Sequence, residues 1–321
     1  MPTANPYQRV DTSLYKGFSK SENYQLRCPA GLAVVFRTNS SSIKLKGKGD
    51  LSYKSNSTMR LASHGYDLYI KKEGKWMWAR NTAPSFDDPE APMTLIVNMD
   101  SSMKECLLYL PIYCAMDSVQ IGVEEGSVLD AIPSPFRHRV AIFGSSYTQG
   151  ISISRAGMSY PDQFTRRTGI QMLSLGCSGN CKMQPYFADV LCDVEADAFV
   201  FDAFSNPDAE MIKERLFPFI ERLQKAHPGK PLIFQRTIHR ESRNFDHRVE
   251  DKETLKHHVS DSLMNIAVKK YKDVYYIQTT SDDGIHEWSV DGTHPGDYGY
   301  SLWERSIEKP ILKILRKYGI R

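Results

Sequence analysis

Two different rhythms of apolar and polar residues divide the chain. Over the first ~130 residues, short runs rich in β-branched and aromatic side chains lie at 32–37, 42–45, 66–70, 93–97, 106–110 and 118–123. Polar stretches carrying Gly, Ser, Asn and Pro separate them, and no helical period is sustained. Many short runs with turn residues between them predict an antiparallel β-sandwich.

After this the rhythm changes. Strands are predicted at 137–143, 171–175, 198–202, 232–235 and 274–277, with helices at 160–168, 185–193, 206–226, 253–270 and 298–317 between and after them. Gly169 suits the left-handed residue that closes the first of these helices, and Asn206 followed by Pro207 reads as an N-cap and a first-turn residue. The short joint Pro133-Ser134-Pro135 divides a β-domain at 1–134 from an α/β domain at 135–321. Five strands separated by helices imply a parallel sheet covered on both faces, a three-layer αβα sandwich of flavodoxin-like type. In such sheets the ligand sits beyond the carboxyl ends of the strands. Ser146, Asn206 and the segment 291–294 all follow strand ends in this reading.

Composition narrows the class without choosing the chemistry. The 321 residues are 41% hydrophobic and 25% charged, as in an ordinary folded protein, and the formal net charge is only +3. With no dense Lys/Arg block, nothing points to nucleic acid. No apolar run approaches the ~20 residues of a membrane helix. Met1-Pro2-Thr3-Ala4-Asn5 lacks the charged and apolar regions of a leader. That fits a cytoplasmic protein, or one whose leader has been cut away. The six cysteines have no zinc spacing and read as free buried thiols.

The candidate chemistry lies in two motifs. Gly144-Ser145-Ser146-Tyr147-Thr148-Gln149-Gly150 follows the apolar run Val140-Ala141-Ile142-Phe143, which places a serine on a loop at a strand end. Asp291-Gly292-Thr293-His294-Pro295 supplies a carboxylate and an imidazole within one turn of chain. A hydroxyl, a base for its proton and a group to orient that base are the parts of nucleophilic hydrolysis. Each motif alone is also a plausible loop or turn, and Asn206 a plausible helix cap.

These residues resemble the SGNH (GDSL-like) hydrolases. Gly144-Ser145-Ser146 stands where that family has Gly-Asp-Ser. Ser178-Gly179-Asn180 is similar to its second block, Asn206 to the asparagine of its third, and Asp291-Gly292-Thr293-His294 to its Asp-x-x-His. The runs Tyr147-Thr148-Gln149-Gly150 and Leu175-Gly176-Cys177-Ser178-Gly179-Asn180, with Gly65-Tyr66-Asp67-Leu68-Tyr69 in the β half, resemble the subfamily that carries an N-terminal Gly-x-Asp-Leu-Tyr domain. Two departures stand out: Ser145 replaces the usual aspartate, and the third block reads Phe204-Ser205-Asn206-Pro207, without its flanking Gly and Asp.

The resemblance implies Ser146 as nucleophile, His294 as base and Asp291 as its orienting group. It implies an oxyanion hole from the N–H groups of Ser146 and Gly179 and the side-chain amide of Asn206. A glycine at 179 would let the backbone approach the substrate without a Cβ. No metal or organic cofactor is required. The family's deacetylases imply a small acyl ester, an acetyl group on a carbohydrate first, and tilt the compartment toward the periplasm or secretion. A thioesterase or lysophospholipase of the same fold, and a non-catalytic carbohydrate-binding protein, are the alternatives.

Other residues carry weaker expectations. His239 is read as a loop histidine, and His257-His258 as no metal site. Trp76 and Trp78 alternate in a predicted strand, where packing at a core or domain interface is favoured over a sugar platform. Asp67 is expected to brace the domain or its interface.

Overall fold

Among the residues that the computed structural model describes, Thr3 and 5–321, thirteen strands make three sheets. Met1, Pro2 and Ala4, part of the stretch read for a leader, lie outside the described residues.

The first half holds β1 (Ala33–Thr38), β2 (Ile43–Gly49), β3 (Tyr66–Lys72), β4 (Lys75–Thr82), β5 (Met93–Ile96), β6 (Lys104–Tyr109), β7 (Met116–Val123) and β8 (Leu129–Ala131). They pair antiparallel in two sheets, ordered β4-β3-β6-β1-β8 and β5-β2-β7. Phe36, Leu68, Cys106 and Leu108 of the larger sheet meet Ile43, Leu45, Leu95 and Met116 of the smaller one. The other face of the larger sheet is also covered. Its Tyr69, Leu107 and Tyr109 share a core with Val140, Ile142, Tyr160 and Trp303 of the second half. Burial on both faces explains why residues 107–110 are apolar without alternation.

The second half holds β9 (Arg139–Gly144), β10 (Gln171–Gly176), β11 (Ala198–Asp202), β12 (Leu232–Gln235) and β13 (Val274–Ile277). All neighbours are parallel and the order is β10-β9-β11-β12-β13. Alternate residues of β9 serve opposite layers. Val140 and Ile142 pack with helices Tyr160–Thr168 and Asp297–Arg316. Ala141 and Phe143 pack with helices Pro185–Cys192, Ala209–Ala226 and His247–Lys270. This is the expected three-layer sandwich preceded by an antiparallel β-sandwich. The strand order reverses between β9 and β11, and that switch point is where such sheets bind ligands.

Three local readings change. The helix expected from Asn206 begins at Ala209, because Asp208 is the N-cap and its Oδ1 accepts from the Met211 N–H at 2.8 Å. The helix expected from residue 253 begins at His247, capped by Asp246; its first turn is polar and gives no apolar period to read. Helix Lys20–Arg27 is short and polar, and its sequence shows no apolar period. A Ser19–Glu22 capping box starts it, and its Leu26, with Val10, enters the core of the second half beside Phe143 and Phe187.

Candidate active site

Ser146 opens a one-turn helix, Ser146–Gln149, directly after β9. Gly144 permits that turn: a Cβ there would lie 1.9 Å from Thr148 Oγ1. Ser145 caps the turn, accepting from the Tyr147 N–H, and Gly150 ends it in the left-handed region at φ +94°. As the first helical residue, Ser146 has an N–H with no intrahelical partner.

Asp291 and His294 lie on the loop between β13 and the last helix. An antiparallel bridge between Ser289 and Pro295 shapes this loop, and Val290 N–H donates to His294 O at 2.9 Å. Asp291 Oδ1 accepts from the N–H groups of Thr293 and His294, at 3.0 and 2.7 Å. Its Oδ2 lies 2.8 Å from His294 Nδ1, and His294 Nε2 lies 3.0 Å from Ser146 Oγ. Burial would push the Asp291 carboxyl up, but the bonds from His294 and the loop N–H groups hold it below the usual carboxylate range. An ionised carboxylate on Nδ1 requires a proton there, which leaves Nε2 free to accept from the serine hydroxyl. Ser146 is 6% exposed, and the side chains of His294 and Asp291 are 20% and 36% exposed, so the site is open at the imidazole side.

The loops after β10 and β11 flank the serine, because these strands are the two neighbours of β9. Gly179 has φ +71°, so the left-handed backbone itself favours glycine; a Cβ would meet no protein atom within 4 Å. Its N–H has no acceptor among the described residues. Asn206 Oδ1 accepts from the Cys181 N–H at 3.1 Å, tying the two loops together and leaving the amide NH₂ as the end with no partner among the described residues. With Asp208 as the cap, Asn206 is not needed to start the helix.

A buried carboxylate accounts for the first departure from the family pattern, Ser145 in place of aspartate. Asp202, at the end of β11, accepts from Ser145 N–H and Oγ–H at 3.0 and 2.6 Å, from Thr148 Oγ at 3.2 Å and from Ser205 Oγ at 2.5 Å. Ser145 thus meets the loop through Asp202 and needs no carboxyl of its own. Burial pushes the Asp202 carboxyl up, against these hydrogen bonds. Sequence reasoning passed over Asp202, although a carboxylate ending the apolar run Ala198-Phe199-Val200-Phe201 was a visible signal. It also passed over Tyr147, whose ring packs edge-on to His294 at 5.6 Å between centroids, and Arg240, whose Nε donates to the Tyr147 hydroxyl at 3.0 Å.

The weaker candidates lie elsewhere. His239 is hydrogen-bonded to Asn244 within its own loop. His257 is buried with neither ring nitrogen partnered. Trp78 donates to Asp67 Oδ1 at 3.0 Å, and Trp76 packs at the seam between the halves. Glu241, Asp282 and His286 bring ligand-type atoms within 4.8 Å of one another, but Glu241 is already bonded to Trp288 and Asn244, so the group fastens the loops beside the site. The six cysteines are free thiols, five of them buried. No helix among the described residues is long and apolar enough to cross a membrane.

A parallel sheet of this order, with a Ser–His–Asp chain at its switch point and a β-sandwich packed beside it, defines a protein of the SGNH hydrolase class. The profile of the GDSL-like lipase/acylhydrolase family matches residues 137–312, and that of the N-terminal domain of SGNH-hydrolase-type esterases, named for Gly-x-Asp-Leu-Tyr, matches residues 1–129. The chain belongs to the GDSL-like lipase/acylhydrolase family. It is similar to a GDSL-like lipase from Bacteroides ovatus, at 35% identity over 98% of this chain and 93% of that one, with a TM-score of 0.93. Its fold is shared by a salicylyl-acyltransferase from a tetracycline biosynthetic pathway, at 18% identity over 98% and 91% of the two chains and a TM-score of 0.71. It is shared too by a family two carbohydrate esterase from Clostridium thermocellum, solved with cellohexaose, at 12% identity over 91% and 94% and a TM-score of 0.63. No curated protein matches the chain.

Proposed function

We propose that this protein is a serine esterase that removes small acyl groups, acetyl first among them, from carbohydrate hydroxyls. The observation that carries the reading is the hydrogen-bonded chain from Ser146 Oγ to His294 Nε2 at 3.0 Å and from His294 Nδ1 to Asp291 Oδ2 at 2.8 Å.

Ser146 Oγ attacks the ester carbonyl carbon as its proton passes to His294 Nε2. The carbonyl π electrons move to oxygen. That oxyanion is met by the N–H groups of Ser146 and Gly179 and the amide of Asn206. Collapse breaks the bond to the sugar oxygen, which takes the proton from His294 and leaves as the alcohol. Water then attacks the acyl-serine, giving its proton to His294. The second collapse releases the carboxylic acid and returns a proton to Ser146. Asp291 keeps the proton on Nδ1 throughout and stabilises the imidazolium.

The choice of a carbohydrate ester rests on likeness of fold to carbohydrate esterases, which bears on substrate more weakly than the hydrogen-bonded chain bears on reaction class. The test is hydrolysis of p-nitrophenyl acetate, butyrate and octanoate by the wild type and Ser146→Ala, followed by acetate release from acetylated xylan and cello-oligosaccharides. Acetate turnover that vanishes in the variant supports the reading. Preference for octanoate would move the substrate to lipids, and no turnover by a folded wild type would favour a binding protein.

A further inference from the structure

We propose that Gln25, from the N-terminal segment, is a positioning residue for the oxyanion site: its side-chain amide aims the Gly179 N–H. The inference rests on the esterase reading above, in which that N–H is an oxyanion donor.

The geometry turns on one peptide unit. The carbonyl of Ser178 and the N–H of Gly179 belong to the same planar trans peptide, so they point in opposite directions and cannot turn independently. Whatever holds the carbonyl sets the direction of the N–H. Ser178 O accepts from Gln25 Nε2 at 3.0 Å and from Asn180 Nδ2 at 2.7 Å. Gln25 also takes the other polar group of Ser178: the Ser178 N–H is shared between Gln25 Oε1 at 2.5 Å and Gln149 Oε1 at 2.9 Å. The Gln25 amide therefore grips Ser178 at two points, as a neighbouring strand would.

Asn180 is a neighbour on the same loop and Gln149 reaches only the Ser178 N–H, so Gln25 is the group from outside this loop that holds the carbonyl. Gly179 is exposed, and no protein atom lies within 4 Å of where its Cβ would be, so packing does not restrain the unit on that side. A glycine in the left-handed region has more than one accessible backbone state. Hydrogen bonds at the carbonyl end are what select among them, and they also polarise the N–H toward a stronger donor.

Gln25 is itself fixed. It is 8% exposed, and its backbone carbonyl accepts from Arg9 Nη2 at 2.7 Å. Arg9 is buried too, and donates to Cys28 O at 2.8 Å and to Gly176 O at 2.7 Å, so one guanidinium joins helix Lys20–Arg27 to the end of β10. The capping box holds the first turn of that helix, and Glu22 receives the Tyr186 hydroxyl at 2.9 Å. Residues 9–28 thus form a brace built onto the catalytic half from outside it.

The test uses the full-length protein with Gln25→Ala and Gln25→Glu. The glutamate keeps an acceptor for the Ser178 N–H but loses the donor to the Ser178 carbonyl. Both variants should show kcat on p-nitrophenyl acetate lowered by about ten-fold or more, a KM within about two-fold of wild type, and an unmoved midpoint in the pH–rate profile. Inactivation by an alkyl phosphonate ester, whose attack by serine also builds charge on an oxygen, should slow in parallel. If Gln25→Ala does not fold, Gln25→Glu alone decides. Wild-type turnover that the folded variants match within about two-fold overturns the inference while leaving the esterase reading intact. A lowered kcat accounted for by a smaller folded fraction on active-site titration also overturns it. A wild type without turnover on any ester overturns the esterase reading, and the inference with it.

Discussion

Asp67 Oδ2 and Arg155 Nη1 lie 2.7 Å apart across the seam between the two halves, and the carboxylate is completely buried. Asp67 also accepts from the Gly157 N–H and the Trp78 indole, both at 3.0 Å. The Arg155 guanidinium reaches the Tyr69 hydroxyl at 2.5 Å as well. The aspartate and tyrosine of the Gly-x-Asp-Leu-Tyr motif therefore fasten the loop that follows the Ser146 helix, which makes Asp67 the interface brace expected of it. Removing the buried carboxylate takes the counter-ion from the half-buried Arg155 guanidinium and the acceptor from the Gly157 N–H and the Trp78 indole. Asp67→Ala should lower unfolding free energy by about 3–5 kcal/mol. Urea denaturation checks this, and a loss below about 1 kcal/mol would show that the pair is not what holds the seam.

Ser146→Ala and His294→Ala should each abolish measurable ester turnover with little change in melting temperature. Asp291→Asn should retain folding and lose about 10⁴-fold in kcat, because an amide no longer fixes the proton on Nδ1. Steady-state kinetics with active-site titration of the wild type measures this; an Asp291→Asn variant within ten-fold of wild type would remove Asp291 from its assigned place.

Variants of Asn206 and Asp208 test the proposed oxyanion donation apart from helix capping. Asn206→Ala should lower kcat by about 10²–10³-fold at a similar KM. Asp208→Ala should cost about 1 kcal/mol of stability and leave kcat near that of wild type. The reverse pattern, in paired kinetics and thermal melts, would return Asn206 to a structural role.

His257 is expected to make stability depend on pH. Burial, reinforced by Arg236, Arg243 and Lys256, pushes its imidazole down to about 4. In the unfolded chain a histidine titrates near ~6.5. Between these values the unfolded state binds the extra proton, so stability is lost as pH falls through that window and is level, for this group, above it. The sign would be opposite for a histidine paired with a carboxylate. Unfolding free energy measured from pH 7 to 4 should fall less steeply in His257→Gln than in wild type; parallel slopes would refute this.

The sequence by itself determined the layers and singled out the candidate site residues. The five strands of the parallel sheet appear in period and length because each is a short apolar run between amphipathic helices, and β11, β12 and β13 fall at the anticipated residues. Ser146, Asp291 and His294, which the fold brings into one hydrogen-bonded chain, were legible as candidates because the proposed chemistry needs those residue types in short local motifs, and the hydrogen bonds that Asp291 accepts from its own loop are local as well. What only the tertiary structure decided are the contacts made across long stretches of chain. Asp202 beneath Ser145, Cys181 on Asn206, Asp67 on Arg155 and Gln25 on Ser178 join residues 57, 25, 88 and 153 positions apart. No periodicity records such pairs. A glutamine on a short polar helix and a glycine on an exposed loop have no preference for each other until packing of Val10 and Leu26 into a distant core fixes the distance between them. Local patterning chooses elements, and the hydrophobic burial that joins those elements chooses which polar groups meet.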